Sequence, residues 1–145
     1  MTEVATNFQM ADITANHQIT EVANNYMKEF QSTEVDAILK QAGETKLIVP
    51  GGWTPVNPLD PHIQELGRFA VDEHNKTTKN KLVFVAVVAG LQKPLGFATL
   101  YWLLIAAKDS KGKLGLYKAL VIEYLTGVKK LLYFGAVPFV IKNKD

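Results

Sequence analysis

Ile19, Val22, Ala23, Tyr26, Met27 and Phe30 recur at helical spacing, so they share one face of a helix. Ser32 or Thr33 then offers an N-cap, Val35, Ile38 and Leu39 form a second apolar stripe, and Gly43 supplies a stop. The first 45 residues therefore predict two amphipathic helices. After Pro50-Gly51-Gly52 the pattern changes. Asp60-Pro61 combines a capping carboxylate with a proline at the first helical position. Ile63, Leu66, Gly67, Ala70 and His74 share a face of the helix that follows, which should end near Asn75.

Four strand-like runs come next: Leu82–Val88, Ala98–Ala107, Gly115–Glu123 and Val128–Phe134. The breaks between them, Leu91–Gly96, Lys108–Lys113 and Thr126-Gly127, suit antiparallel hairpins. Trp53–Val56 offers a short fifth strand. The order predicts an α+β fold: one long helix across a four- to five-stranded antiparallel sheet, preceded by a helical extension. In Ala98–Ala107 both alternating sets are apolar, whereas a sheet with one wet face alternates apolar and polar. The second face needs a cover. Either the amino-terminal helices or a second copy of the chain, in a homodimer through this apolar face, would supply it.

Composition narrows the class. The chain has 145 residues, enough for one domain with a modest core, and its 48% hydrophobic and 21% charged content is ordinary for a globular protein. It has no cysteine, which excludes a disulfide scaffold, a thiolate metal site and a cysteine nucleophile. A net charge of +2 carries no nucleic-acid footprint, but the charge is uneven. Residues 1–50 hold three Lys against seven Asp/Glu, a net of −4; residues 51–145 hold thirteen Lys/Arg against seven Asp/Glu, a net of +6. This break supports a division into an acidic helical extension, 1–49, and a second unit, 50–145. MTEVATNFQM has an acid, no basic run and no long apolar stretch, so no signal peptide is expected and a cytoplasmic location is favoured over secretion. The longest apolar run, Ala98–Ala107, falls short of the ~18 residues a spanning helix needs, so no membrane partner is expected.

Catalytic chemistry finds little support. The histidines are His17, His62 and His74 and the serines Ser32 and Ser110, with no nucleophile elbow, no metal-ligand spacing and no phosphate-binding glycine loop. In LGRFAVDEHN (Leu66–Asn75), Asp72, Glu73 and His74 are consecutive on a helix and point about 100° apart, so they cannot converge on one atom. A solvated helix end, with His74 favoured near the negative pole, accounts for them. The chain is expected not to be an enzyme, with no catalytic residue, metal or cofactor. Asn75-Lys76-Thr77 is also a glycosylation triplet.

LGRFAVDEHN does resemble something specific: the helix signature of the plant cystatins. All ten of its positions satisfy that signature. Pro50-Gly51-Gly52-Trp53-Thr54-Pro55 and Asp60-Pro61-His62-Ile63-Gln64-Glu65 resemble the family's lead-in. Glu123 to Phe134, EYLTGVKKLLYF, is similar to monellin, which shares the cystatin fold. The resemblance covers residues 50–138. It implies a cystatin-like fold, a long helix wrapped by a curved antiparallel sheet, and inhibition of papain-like cysteine proteases by a wedge that occludes the active-site cleft. It carries three wedge elements onto this chain. Gly51 and Gly52 stand where the family has its Gly-Gly trunk. Gln92-Lys93-Pro94-Leu95-Gly96 stands at the Gln-x-Val-x-Gly hairpin, with proline replacing the central valine. Tyr124 and Leu125 stand where the family has Pro-Trp. Losing an aromatic anchor costs ~2 kcal/mol or more, so a weakened inhibitor is expected. Val87-Val88-Ala89-Gly90, though close to the hairpin motif, lies too early and reads as strand. Two other functions fit the same fold: a non-inhibitory, monellin-like interaction or taste-active protein, and a binder of apolar small molecules.

Overall fold

The computed structural model describes residues 13–79 and 81–138. Helices α1 (Ile13–Lys28) and α2 (Ser32–Gln41) lead to a 3-10 turn, Thr45–Leu47. Strand β1 (Thr54–Pro55), helix α3 (Pro61–Thr77) and strands β2 (Val83–Pro94), β3 (Ala98–Lys108), β4 (Leu114–Tyr124) and β5 (Lys129–Val137) follow. The five strands form one antiparallel sheet in chain order. The α+β architecture expected from the sequence, a long helix with a five-stranded antiparallel sheet preceded by a helical extension, is the one observed.

Local chemistry sets the helix ends. Asp60 Oδ1 accepts from the His62 backbone N–H at 2.9 Å, and Pro61 occupies the first turn, where its missing donor costs nothing. Helix α2 differs from the expected start: Gln31 is the N-cap and makes no side-chain cap bond, while Ser32 is already helical. Gly43 does end this helix, at φ +75°, the left-handed conformation that glycine takes without a Cβ clash.

Strand β2 runs to Pro94, well beyond Val88. The ladder to β3 shifts register between Phe84 and Ala86 and again between Val87 and Ala89. These bulges interrupt strict alternation, so the run reads in sequence as a short strand followed by a break while remaining one strand in space. Gln64, on α3, occupies the second bulge: its Oε1 accepts from Val87 N–H at 2.9 Å and its Nε2 donates to the Val87 carbonyl at 3.0 Å.

Alternation along β3 separates two cores. Leu103, Ile105 and Ala107 pack with Ile63, Leu66, Ala70 and Val71 of α3. Leu100 and Trp102 pack with Val35, Leu39 and Leu47, while Leu104 and Ala106 pack with Ile19 and Ala23. Leu100, Trp102, Leu104 and Ala106 are each at most 1% exposed. Of the two covers left open by the sequence, the chain's own amino-terminal helices lie on this face. Charge crosses the contact too. Lys118 Nζ pairs with Glu34 Oε2 and lies 5.6 Å from the Trp102 ring centroid.

Candidate functional site

The antiparallel ladder brings the three predicted segments to one end of the sheet. Thr54 pairs with Gln92 and Pro55 with Leu91, so the trunk before β1 runs beside the end of β2. Pro94 pairs with Thr99, and Ala98 with Tyr124, which puts the β2–β3 and β4–β5 turns side by side. The two turns are joined directly: Leu125 N–H donates to the Phe97 carbonyl at 3.1 Å. The Phe97 and Tyr124 rings lie 6.2 Å apart.

Each turn has its own closure. Leu95 N–H donates to the Ala98 carbonyl at 2.8 Å around Gly96, which sits at φ +94°. Tyr124 N–H donates to the Val128 carbonyl at 2.8 Å, and Gly127 also sits at φ +94°. Both glycines provide the left-handed residue that these tight turns require.

The predicted residues divide once placed. Gly51, Gly52, Pro94, Gly96 and Leu125 are exposed, with Leu125 at 81%. Leu95 and Tyr124 are half-buried against the core behind the sheet. Gln92 is a half-buried ladder residue between Thr54 and Tyr101. Lys93, expected on the contact edge, instead points inward and is only 6% exposed. Strand alternation explains this, because Lys93 falls on the face occupied by α2 and the 3-10 turn.

Two contributors went unrecognised in the sequence. Phe97 is 49% exposed and Val128 53% exposed, both beside Leu125 at the turns. Phe97 had a signal: a large apolar residue directly after a turn glycine, where burial is difficult. Val128 had none, being the natural first residue of an apolar strand.

The opposite end of the sheet holds the histidine that first suggested chemistry. His74 stacks on Phe134 with ring centroids 4.1 Å apart, and burial holds its pKa below the ordinary value. Burial thus disfavours the charged form that the helix pole was expected to favour. Glu73 pairs instead with Lys76 at 2.7 Å. Clefts of about 300 and 370 Å³ flank His74. Among the described residues, no group of three or more His, Asp or Glu is placed to hold a metal ion. No described helix is long and apolar enough to cross a membrane. The geometry at the turn end suits binding: an apolar, hydrogen-bonded rim, with the His62–Glu123 pair, 2.7 Å apart, beside it.

Comparison with known proteins points the same way. The model of a family described as SQAPI, aspartic acid proteinase inhibitor, matches residues 56–137, which include both turns. Cysteine proteinase inhibitor 1 of Actinidia chinensis var. chinensis is 39% identical over 80 residues, 54% of this chain and 67% of that protein. Cysteine proteinase inhibitor 5 of Arabidopsis thaliana is 42% identical over 72 residues, 49% of this chain. The chain spans 58% of the length of that Arabidopsis protein. Among solved structures, the salivary cystatin of the soft tick Ornithodoros moubata is similar with a TM-score of 0.53 at 16% identity. It covers 62% of this chain and all of its own.

Proposed function

The chain belongs to the cystatin-like family of proteinase inhibitors described as SQAPI, and from that premise we propose that it inhibits papain-like cysteine proteases by steric occlusion of their active-site cleft. The observation that carries this reading is the exposed apolar rim. Phe97, Leu125 and Val128 lie together on two turns tied by the Leu125–Phe97 hydrogen bond, with Gly51-Gly52 alongside. A row of this kind fills a groove by apolar burial and backbone hydrogen bonds. It presents turns held by their own ladder rather than an extended peptide for cleavage. The names of the Actinidia and Arabidopsis relatives, cysteine proteinase inhibitors both, support this enzyme class.

In this reading Phe97 and Leu125 supply the apolar anchor that the family draws from tryptophan. Truncating an interface anchor costs about 1–2 kcal/mol or more, roughly tenfold in affinity. Titrating papain with the full chain, with Phe97→Ala and with Leu125→Ala tests it. Reversible inhibition, weakened about tenfold by each change, is expected. No inhibition at high micromolar concentration would remove the reading.

A second target class has its own support. The matching family model is described as an aspartic acid proteinase inhibitor, and this chain has Pro94 and Tyr124-Leu125 where cystatins have valine and Pro-Trp. A parallel titration of a pepsin-type enzyme separates the two. Inhibition of pepsin alone assigns the rim to aspartic proteases; inhibition of papain alone assigns it to cysteine proteases.

A further inference from the structure

Lys93 is the buried charged residue among the described residues, and its side chain meets the trunk at Val49, Gly51 and Trp53. Its Nζ donates to the Val49 carbonyl. The same nitrogen lies 5.9 Å from the centroid of the Trp53 ring. A Cβ at Gly51 would stand 3.7 Å from Lys93 Cε, so the backbone there passes in ordinary contact with the lysine stem. Trp53 is held from its other neighbour as well: the Phe30 ring meets it edge-on at 5.5 Å.

An ammonium group leaves water only where acceptors replace its hydration. A carbonyl and the face of an indole ring are such replacements. The lysine is placed by the strand that carries the first turn, one residue before Pro94. Its partners lie on the segment that presents Gly51 and Gly52. The contact therefore connects two of the three parts of the rim, from behind and out of reach of a target.

We infer that Lys93 is a positioning residue that clamps the trunk, Val49 to Trp53, against the first hairpin before a target is bound. This rests on the inhibitory reading above and deepens it. A free glycine trunk would be ordered at the moment of binding, and that ordering would weaken affinity. A trunk already held by Lys93, Phe30 and the Thr54–Gln92 pairing is ordered in advance. The amino-terminal helices thereby gain a role at the rim, since α2 and the 3-10 turn form the floor on which the clamp sits.

Lys93→Met tests this, because methionine keeps much of the stem and removes both the donor and the charge. The chain has two tryptophans, and Trp102 is 1% exposed, so acrylamide quenching reports on Trp53. The variant should show increased quenching and inhibit the target enzyme about tenfold more weakly. Unchanged quenching overturns the clamp. Increased quenching with inhibition within twofold of wild type overturns its role at the rim. The wild-type chain provides an arm that does not depend on the variant folding. The Gly52 amide should show an NMR order parameter near the rigid-backbone value of ~0.85, and a value below ~0.6 overturns the clamp. Should the wild type inhibit neither papain nor pepsin, the inhibitory reading fails, while quenching and the order parameter still judge the clamp.

Discussion

Gly67 shows why one position of LGRFAVDEHN admits no side chain. A Cβ there would lie 2.3 Å from Val87 Cγ2 and 2.9 Å from Phe84 Cε1, and Val87 is fully buried. Alanine is the better helix former by about 1 kcal/mol, but overpacking a core contact costs about 1–3 kcal/mol. Gly67→Ala should therefore lower stability by about 1 kcal/mol, read as a lower denaturation midpoint. A raised midpoint would refute the packing argument. Asn75 is structural as well, its amide donating to the Leu82 carbonyl at 2.8 Å and accepting from Leu82 N–H at 2.9 Å. His62 and His74 respond to acid in opposite senses. His62 Nε2 lies 2.7 Å from Glu123 Oε1, and that bond raises the histidine's pKa above its ordinary value. Its stabilising effect is full below the unfolded pKa of ~6.5 and lost as pH rises through the higher folded value. His74 is lowered by burial, so its contribution is present above ~6.5 and lost as pH falls through its folded value. Glu123→Gln should thus lower the midpoint more at pH 6 than at pH 9. An equal loss at both would show that the pair does not titrate.

The elements were legible where period and punctuation agreed. Helix α3 has a capping Asp60, a first-turn Pro61 and an apolar face, and it runs to Thr77, two residues beyond the expected end at Asn75. The run Ala98–Ala107 announced a sheet buried on both faces, and β3 is buried from Leu100 to Ala107. Strand β2 was only half visible, because two bulges shift its faces and Gln92-Lys93-Pro94 has the composition of a turn while pairing as a strand. That misreading also placed Lys93 at the surface. Helix α2 is held to the sheet by Val35 and Leu39, buried at 0% and 1%. Leu39→Ala should cost about 2–4 kcal/mol, the usual loss when a fully buried leucine leaves a cavity. Urea denaturation checks this, and a change below 0.5 kcal/mol would show that α2 is only loosely applied to the sheet.

Across the whole molecule, the rim proposed to bind a target and the aromatic stack around His74 occupy opposite ends of the sheet. The apolar rim stands at the turn end of the sheet, while His74, Phe134 and Tyr117 stack at the other. The acidic extension and the basic remainder meet through Glu34 and Lys118, an ion pair that crosses the composition break at Pro50 together with the apolar packing of the helices on the sheet. The sequence by itself determined the fold class, the face of α3, the two-sided burial of β3 and the family resemblance. These depend on short-range periodicity, capping and a local string of residues. Tertiary structure decided what covers the second face, that Phe97 and Val128 join Leu125 on the rim, and that Lys93 turns away from it. Each depends on strand register between segments distant in the chain, and a bulge or a one-residue shift sends a side chain to the other face without changing the composition of the strand.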